Sequence, residues 1–302
     1  MRFLLLVPLL AAFSARVQAQ EPVVFSLGTI ADDTNELSPA FAPDCRTVLY
    51  TVGNGVQNMI VISRLVNGKW TPPAVAEFSG HWRDLEASMA PDGSYLVFAS
   101  NRPASDSGAP IDGNYNGKVQ PGRGGNLWRV DRRGSAWGKP VRLPDAINAN
   151  TSIFSPSVVA DGSLYFMKPS PDSGHFQLFR SQRKNGQYQA AERVSFSDEQ
   201  WTNVDAAVAP DESFMIFSSS RPPTADKDLD LFIAFRTNVV WGEPKSLGPH
   251  VNSPSGEIEA RLSPDTRTLF FSSRRNGGAT QIFGADLSPW VSGKSGYCSP
   301  VH

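Results

Sequence analysis

Cysteine and histidine are scarce in this chain, with two Cys and four His among 302 residues. Cys45 and Cys298 stand far apart, as do His81, His175, His250 and His302, so no zinc finger, Cys-x-x-Cys redox pair, iron–sulfur cluster or other metal site is expected. An excess of either charge is also lacking. With 28 Lys and Arg against 29 Asp and Glu, no basic field exists to hold nucleic acid or an anionic membrane. The sequence contains no Gly-x-Ser-x-Gly elbow, phosphate loop or dinucleotide fingerprint, which leaves serine-nucleophile and nucleotide chemistry without a motif. Its one long apolar run, Phe3 to Phe13, is broken by Pro8 and falls short of the ~20 residues needed to cross a bilayer. Arg2 precedes that run, and Val17-Gln18-Ala19 follows with small residues at both positions a signal peptidase reads. Residues 1–19 therefore read as a signal peptide cut after Ala19. The mature chain is expected to be a periplasmic or secreted protein with no membrane anchor, in an oxidising compartment.

Turn residues are abundant instead. Gly and Pro together make 49 residues, while charged residues are only 19% of the chain, the balance expected of many short strands joined by turns. One turn recurs five times, as Ala42-Pro43-Asp44, Ala90-Pro91-Asp92, Val159-Ala160-Asp161, Ala209-Pro210-Asp211 and Ser263-Pro264-Asp265, at spacings of 48, 69, 50 and 54 residues. A β-branched or aromatic run follows each copy: Val48-Leu49-Tyr50, Tyr95-Leu96-Val97-Phe98, Leu164-Tyr165-Phe166, Phe214-Met215-Ile216-Phe217 and Leu269-Phe270-Phe271. Third strands open at Asn58, Asn126, Gln177, Asp230 and Gln281. Fourth strands open near Trp70, Trp137, Tyr188 and Trp241. Four strands per copy, repeated radially, predict an all-β, five-bladed β-propeller of four-stranded blades. The fifth copy lacks its fourth strand, and Val23 to Ile30 supplies it, so that the N-terminal strand closes the last blade. The expected organisation is a propeller over 20–290, with blades near 36–80, 81–150, 151–200, 201–254 and 255–290 plus 23–30, and a C-terminal tail over 291–302.

The repeated Ser/Ala-Pro-Asp turns, followed by Phe98-Ala99-Ser100-Asn101-Arg102, Phe217-Ser218-Ser219-Ser220-Arg221 and Phe271-Ser272-Ser273-Arg274-Arg275, resemble the TolB-like, WD40-like β-propeller repeat family of exported bacterial proteins. The likeness runs over essentially the whole mature chain. It implies a propeller and leaves function open, because such propellers serve as periplasmic scaffold modules and also occur inside hydrolases.

Aligning the five turn aspartates exposes two polar columns in the innermost strand. Eight positions before the Asp stand Glu36, Asp84, Ile153, Asn203 and Glu257, and six before it stand Ser38, Glu86, Ser155, Asp205 and Glu259. Residues two apart in a strand share a face, so both columns are expected to point the same way, at a channel mouth that also carries Arg102, Arg221 and Arg275. On one reading these acids and arginines pair between adjacent blades and set their register. On the other, the surplus carboxylates form a site. Trp82 and Trp201 occupy equivalent places near this mouth, as wedges between blades or as platforms for a ligand. The longest spacing comes from an insertion, Pro103 to Gly125, with Tyr115 at its middle and with Asp106, Asp112 and Asn114 as weak candidates for calcium; no other cofactor is indicated.

These features predict a monomeric binding or scaffold propeller that takes a protein, peptide or glycan at the mouth. The alternative is a glycoside hydrolase using Glu86, Glu259 and Asp205 in the central funnel. Cys45 lies in a turn on the face from which the tail leaves. A Cys45–Cys298 disulfide clasping the ring seam is therefore expected.

Overall fold

The computed structural model describes residues 21–25, 34–54, 56–105, 107–224 and 228–292. These residues form no helix and build five antiparallel four-stranded sheets arranged as a propeller. The inner strands are Asn35–Phe41, Asp84–Met89, Phe154–Val158, Asn203–Val208 and Glu257–Leu262. Each pairs with a buried second strand: Thr47–Gly53, Tyr95–Ser100, Leu164–Pro169, Phe214–Ser219 and Thr268–Ser273. The third strands are Asn58–Val66, Asn126–Arg133, Phe176–Ser181, Asp230–Thr237 and Gln281–Asp286. Outer strands are short, in places only two residues, so little unpaired backbone faces solvent.

The recurring turn is the same object in all five blades. In each, the residue after the Asp donates its N–H back to the carbonyl three residues earlier, as Cys45 does to Ala42 and Thr266 to Ser263. That residue has a positive φ, from 55° at Cys45 to 80° at Gly162. The Asp side chain accepts the next N–H, at 2.8 Å from Arg46 for Asp44 and at 2.9 Å from Ser94 for Asp92. Asp is thus selected because it caps its own turn.

A second device recurs two turns of the pleat earlier. Every inner strand carries a β-bulge in which two residues face one on the second strand. The first bulge residue is Ser38, Glu86, Ser155, Asp205 or Glu259, each with φ between 47° and 57°. The second is Pro39, Ala87, Pro156, Ala206 or Ala260, small enough to pass over the aromatic ring opposite. Those rings, Tyr50, Phe98, Phe166, Phe217 and Phe271, are fully buried.

The ring closes as expected from both ends of the chain. Val23–Val24 pairs with Gln281–Asp286, and Phe25 continues the pairing by donating its N–H to the Ile282 carbonyl at 2.9 Å. Phe25 packs against Phe41, Trp70 and Phe270, with ring centroids 5.5, 5.9 and 5.0 Å away, so one side chain joins the first and fifth blades. At the other end Trp290 and Val291 pack on the fifth blade. The expected signal peptide over residues 1–19, residues 26–30 and Cys298 lie outside the described residues.

Truncating the seam aromatic by Phe25→Ala is expected to cost about 3–5 kcal/mol, as for other buried Phe. Chemical denaturation should show this as a lower midpoint. A loss below about 1 kcal/mol would mean that the N-terminal strand does not hold the ring.

Candidate functional site

The left-handed bulge separates the two polar columns, and this corrects the expectation that they share a face. The outer column turns into its own blade. Asp84 Oδ1 accepts from Ser100 Oγ at 2.6 Å and from Arg102 Nη2 at 3.0 Å. Asn203 Oδ1 accepts from Ser219 Oγ at 3.0 Å and Arg221 Nη2 at 2.7 Å. Glu257 Oε1 accepts from Ser273 Oγ at 3.1 Å and Arg275 Nη2 at 2.8 Å. The same Nη2 atoms donate to the Phe78, Phe196 and Val251 carbonyls on the connection entering each blade. Each guanidinium also lies over aromatic rings, as Arg275 does over Phe271 and Phe283 at 4.9 and 5.0 Å. The arginines therefore tie inner strand to incoming loop within one blade, not blade to blade. Asp84, Asn203 and Glu257 are completely buried, which removes Asp84 and Glu257, with Arg102, Arg221 and Arg275, from the candidate ligand contacts.

Blade one departs from this scheme, because Val52 and Asn54 stand where the clamp has Ser and Arg. Glu36 is left half-buried, and burial raises its carboxyl to about 7.

The bulge column faces the axis and the neighbouring blade. Glu86 Oε2 accepts the Ser155 N–H at 2.7 Å, and Asp205 Oδ2 accepts the Glu259 N–H at 3.0 Å. Thr51 Oγ1 accepts the Glu86 N–H at 3.0 Å. One layer deeper, Ser88 Oγ accepts from Val158 N at 3.1 Å and Ser157 Oγ from Val208 N at 3.0 Å. Side chains of one blade thus satisfy backbone donors of the next, which the unpaired inner edge would otherwise leave orphaned.

At that deeper layer four blades carry Ala40, Ser88, Ser157 and Ala207, and the fifth carries Arg261. The small residues leave the axis open to a single guanidinium, which is buried, donates to the Ala260 carbonyl at 2.7 Å and lowers the carboxyls of Glu86, Asp205 and Glu259. Burial outweighs that help. Glu86 is pushed up to about 8 by burial and by the charges of Asp205 and Glu259, and Glu259 to about 7 by burial and Asp205. Sequence reasoning missed Arg261, although its signal was present as the only large residue in a column of Ala and Ser.

The mouth contains a cleft of about 540 Å³ between residues 56–59 of blade one and the insertion of blade two, with Gln57, Met59, His81, Trp82, Arg83 and Arg123 among its lining. His81 meets Trp82 edge-on at 4.7 Å. Arg83, also missed from sequence, has Nε and Nη1 buried without a hydrogen-bond partner. Trp201 does not line this cleft; its carbonyl accepts from Gln177 Nε2 at 2.8 Å on the side of blades three and four.

The insertion is a folded element. Gly113–Tyr115 pairs with Lys118–Gln120, and Tyr115 packs on Phe154 and Phe176 at 6.0 and 5.6 Å, which makes it a staple to blade three and not a free ligand contact. A side chain at Gly125 would meet the Phe154 ring at 2.2 Å, so only glycine passes there. Asp112 Oδ1 accepts the Gly122 N–H at 2.7 Å and Asn114 N–H donates to Ser152 Oγ at 2.8 Å, while Asp106 lies outside the described residues. Among the described residues no three metal-ligating side chains cluster.

No family model matches the chain, and no curated protein matches it. Its solved structural neighbours are propellers. It is similar to a putative TolB from Agrobacterium tumefaciens at 14% identity and TM-score 0.50, over 83% of this chain and 82% of that one. It is similar to a thermostable family-43 glycoside hydrolase at 10% identity and TM-score 0.55, over 87% and 91%. To TolB from Acinetobacter baumannii the figures are 16% and 0.49, and the match covers 83% of this chain but 54% of that one, so the chain spans about half that protein's length. The class this defines is a β-propeller with TolB-like proteins among its structural neighbours. At such identities the likeness carries the fold alone.

The raised axial carboxyls fix the direction of a pH effect. Unfolded, Glu86 and Glu259 titrate near 4.5; folded, they keep their protons to about 8 and 7. Their contribution to stability is full below the unfolded value and is lost as pH rises through 7 to 8. Thermal denaturation should give a lower Tm at about pH 9 than at about pH 6. Glu86→Gln, whose amide oxygen still accepts from Ser155, should narrow the difference, and an unchanged difference would contradict the assignment.

Proposed function

We propose that this chain is an exported, monomeric binding propeller that takes a glycan, or a peptide or protein segment, in the mouth cleft beside Trp82 and does no chemistry on it. The observation that carries this reading is the division of labour around the mouth. The repeated polar residues are consumed by the fold, whereas the Trp82 cleft has an aromatic platform and two arginines, Arg83 and Arg123, in its lining. Aromatic and Arg side chains of this kind dominate recognition surfaces.

The hydrolase reading draws less support. Glycoside cleavage needs two carboxyls that flank a bound sugar. Glu86, Asp205 and Glu259 are only 6, 5 and 8% exposed, and two of them each commit an oxygen to a backbone N–H of the next blade. Export rests on residues 2–19, read from sequence, and a Cys45–Cys298 bridge belongs to the same proposal.

Screening the mature protein on glycan and peptide arrays tests it. A ligand found there should bind Trp82→Ala about 1–3 kcal/mol more weakly, the usual cost of removing an aromatic anchor, with Tm moved by less than about 2 °C. Unchanged affinity in Trp82→Ala would place binding elsewhere, and bond cleavage abolished by Glu259→Gln would replace the reading with the enzymatic one.

A further inference from the structure

Resting on the cleft reading above, the geometry points to the chemical class of the ligand: a sugar ring that carries a carboxylate, with the carboxylate held by Arg83 and Arg123 and the ring face laid on Trp82. Three observations lead there. First, the described residues lining the cleft include two arginines and His81 and no acidic residue, in a protein whose overall balance is slightly acidic. A local excess of positive charge inside a concave site concentrates anions.

Second, burial above all opposes the charge of Arg83, and the neighbouring Arg123 opposes it to a smaller degree. Arg83 Nε and Nη1 are buried and lack a hydrogen-bond acceptor. A carboxylate is the anion that guanidinium groups pair with by charge-assisted hydrogen bonds. An incoming anion would relieve the repulsion between the arginines.

Third, the arginines border Trp82, which is half-exposed in the same lining. A flat indole offers a stacking face for the apolar side of a sugar ring, and the cleft volume of about 540 Å³ admits a short oligosaccharide. A peptide docked by strand addition would need a long unpaired edge, but the Asn58–Val66 strand beside the cleft is paired along one side and at Val61, Ile62, Leu65 and Val66 on the other.

The test is calorimetric titration of the mature protein with trimers of glucuronic, galacturonic and mannuronic acid, each beside its methyl ester, and with a triglutamate peptide. The inference expects at least one acid trimer to bind at least roughly tenfold tighter than its uncharged ester and than the peptide, the scale of a hydrogen bond between charged groups. Arg123→Ala, at an exposed position, should remove that preference without lowering Tm, and Trp82→Ala should weaken acid and ester alike. Acid and ester binding equally, both sensitive to Trp82→Ala, would overturn the carboxylate assignment and leave the cleft reading standing. Tighter binding of the peptide would overturn the sugar assignment. Binding indifferent to Trp82→Ala would overturn the cleft reading and this inference with it, and no binding by any acid trimer would overturn the inference.

Discussion

The inner edge of each blade governs this structure. A propeller blade ends at the axis in a strand with no partner on its inner side, and its N–H groups must find acceptors or cost about 1–3 kcal/mol apiece when buried. Here the acceptors are side chains of the preceding blade: Thr51, Glu86, Ser88, Ser157 and Asp205. The bulge makes this geometry available, because a left-handed residue turns its side chain out of the strand's alternation and towards the neighbour. Its conformational cost recurs in all five blades, as expected if the ring cannot close without it.

Two polar systems follow from that constraint and should be kept apart. The Asp/Asn/Glu–Ser–Arg clamps lie inside blades two, four and five and fasten each to its incoming loop. The axial carboxyls and Arg261 lie between blades and leave the interior with more acids than cations. Burial then keeps protons on Glu86 and Glu259 into the neutral range, so the centre of the ring titrates where most proteins are inert. Both systems are consumed by the fold. In the proposed reading, recognition falls to groups the repeat does not dictate, Trp82, Arg83 and Arg123, beside the one long insertion.

Much of the ring was legible in the chain because the Pro-Asp turn is a local signal: proline and a self-capping aspartate act within four residues, and five copies announce five blades. The closing strand could be found by what the fifth copy lacked, although only Val23 to Phe25 of it lies within the described residues. The Phe-x-Ser-x-Arg runs were visible, but their partners were not, since pairing within a blade depends on where a side chain points. The assumption that failed was the period of two along the inner strand. Pro39, Ala87, Pro156, Ala206 and Ala260 were a readable sign of the bulge, as small residues passing over large rings, and they went unread. Arg83 was invisible to a repeat-based reading because it occurs once, whereas Arg261 stood out in its column as the one large residue and went unread. Tyr115 was misplaced because a staple and a platform look alike in sequence.

The central claim is that blade-to-blade closure runs through side chains accepting from Ser155 and Glu259. Amide hydrogen exchange resolved by residue tests it most directly. In the native protein both amides should exchange only through global unfolding, and Glu86→Ala should release the Ser155 amide to faster exchange while the Glu259 amide, held by Asp205, stays protected. Exchange of the Ser155 amide at the rate of an exposed loop in the native protein, or protection indifferent to Glu86→Ala, would contradict the account.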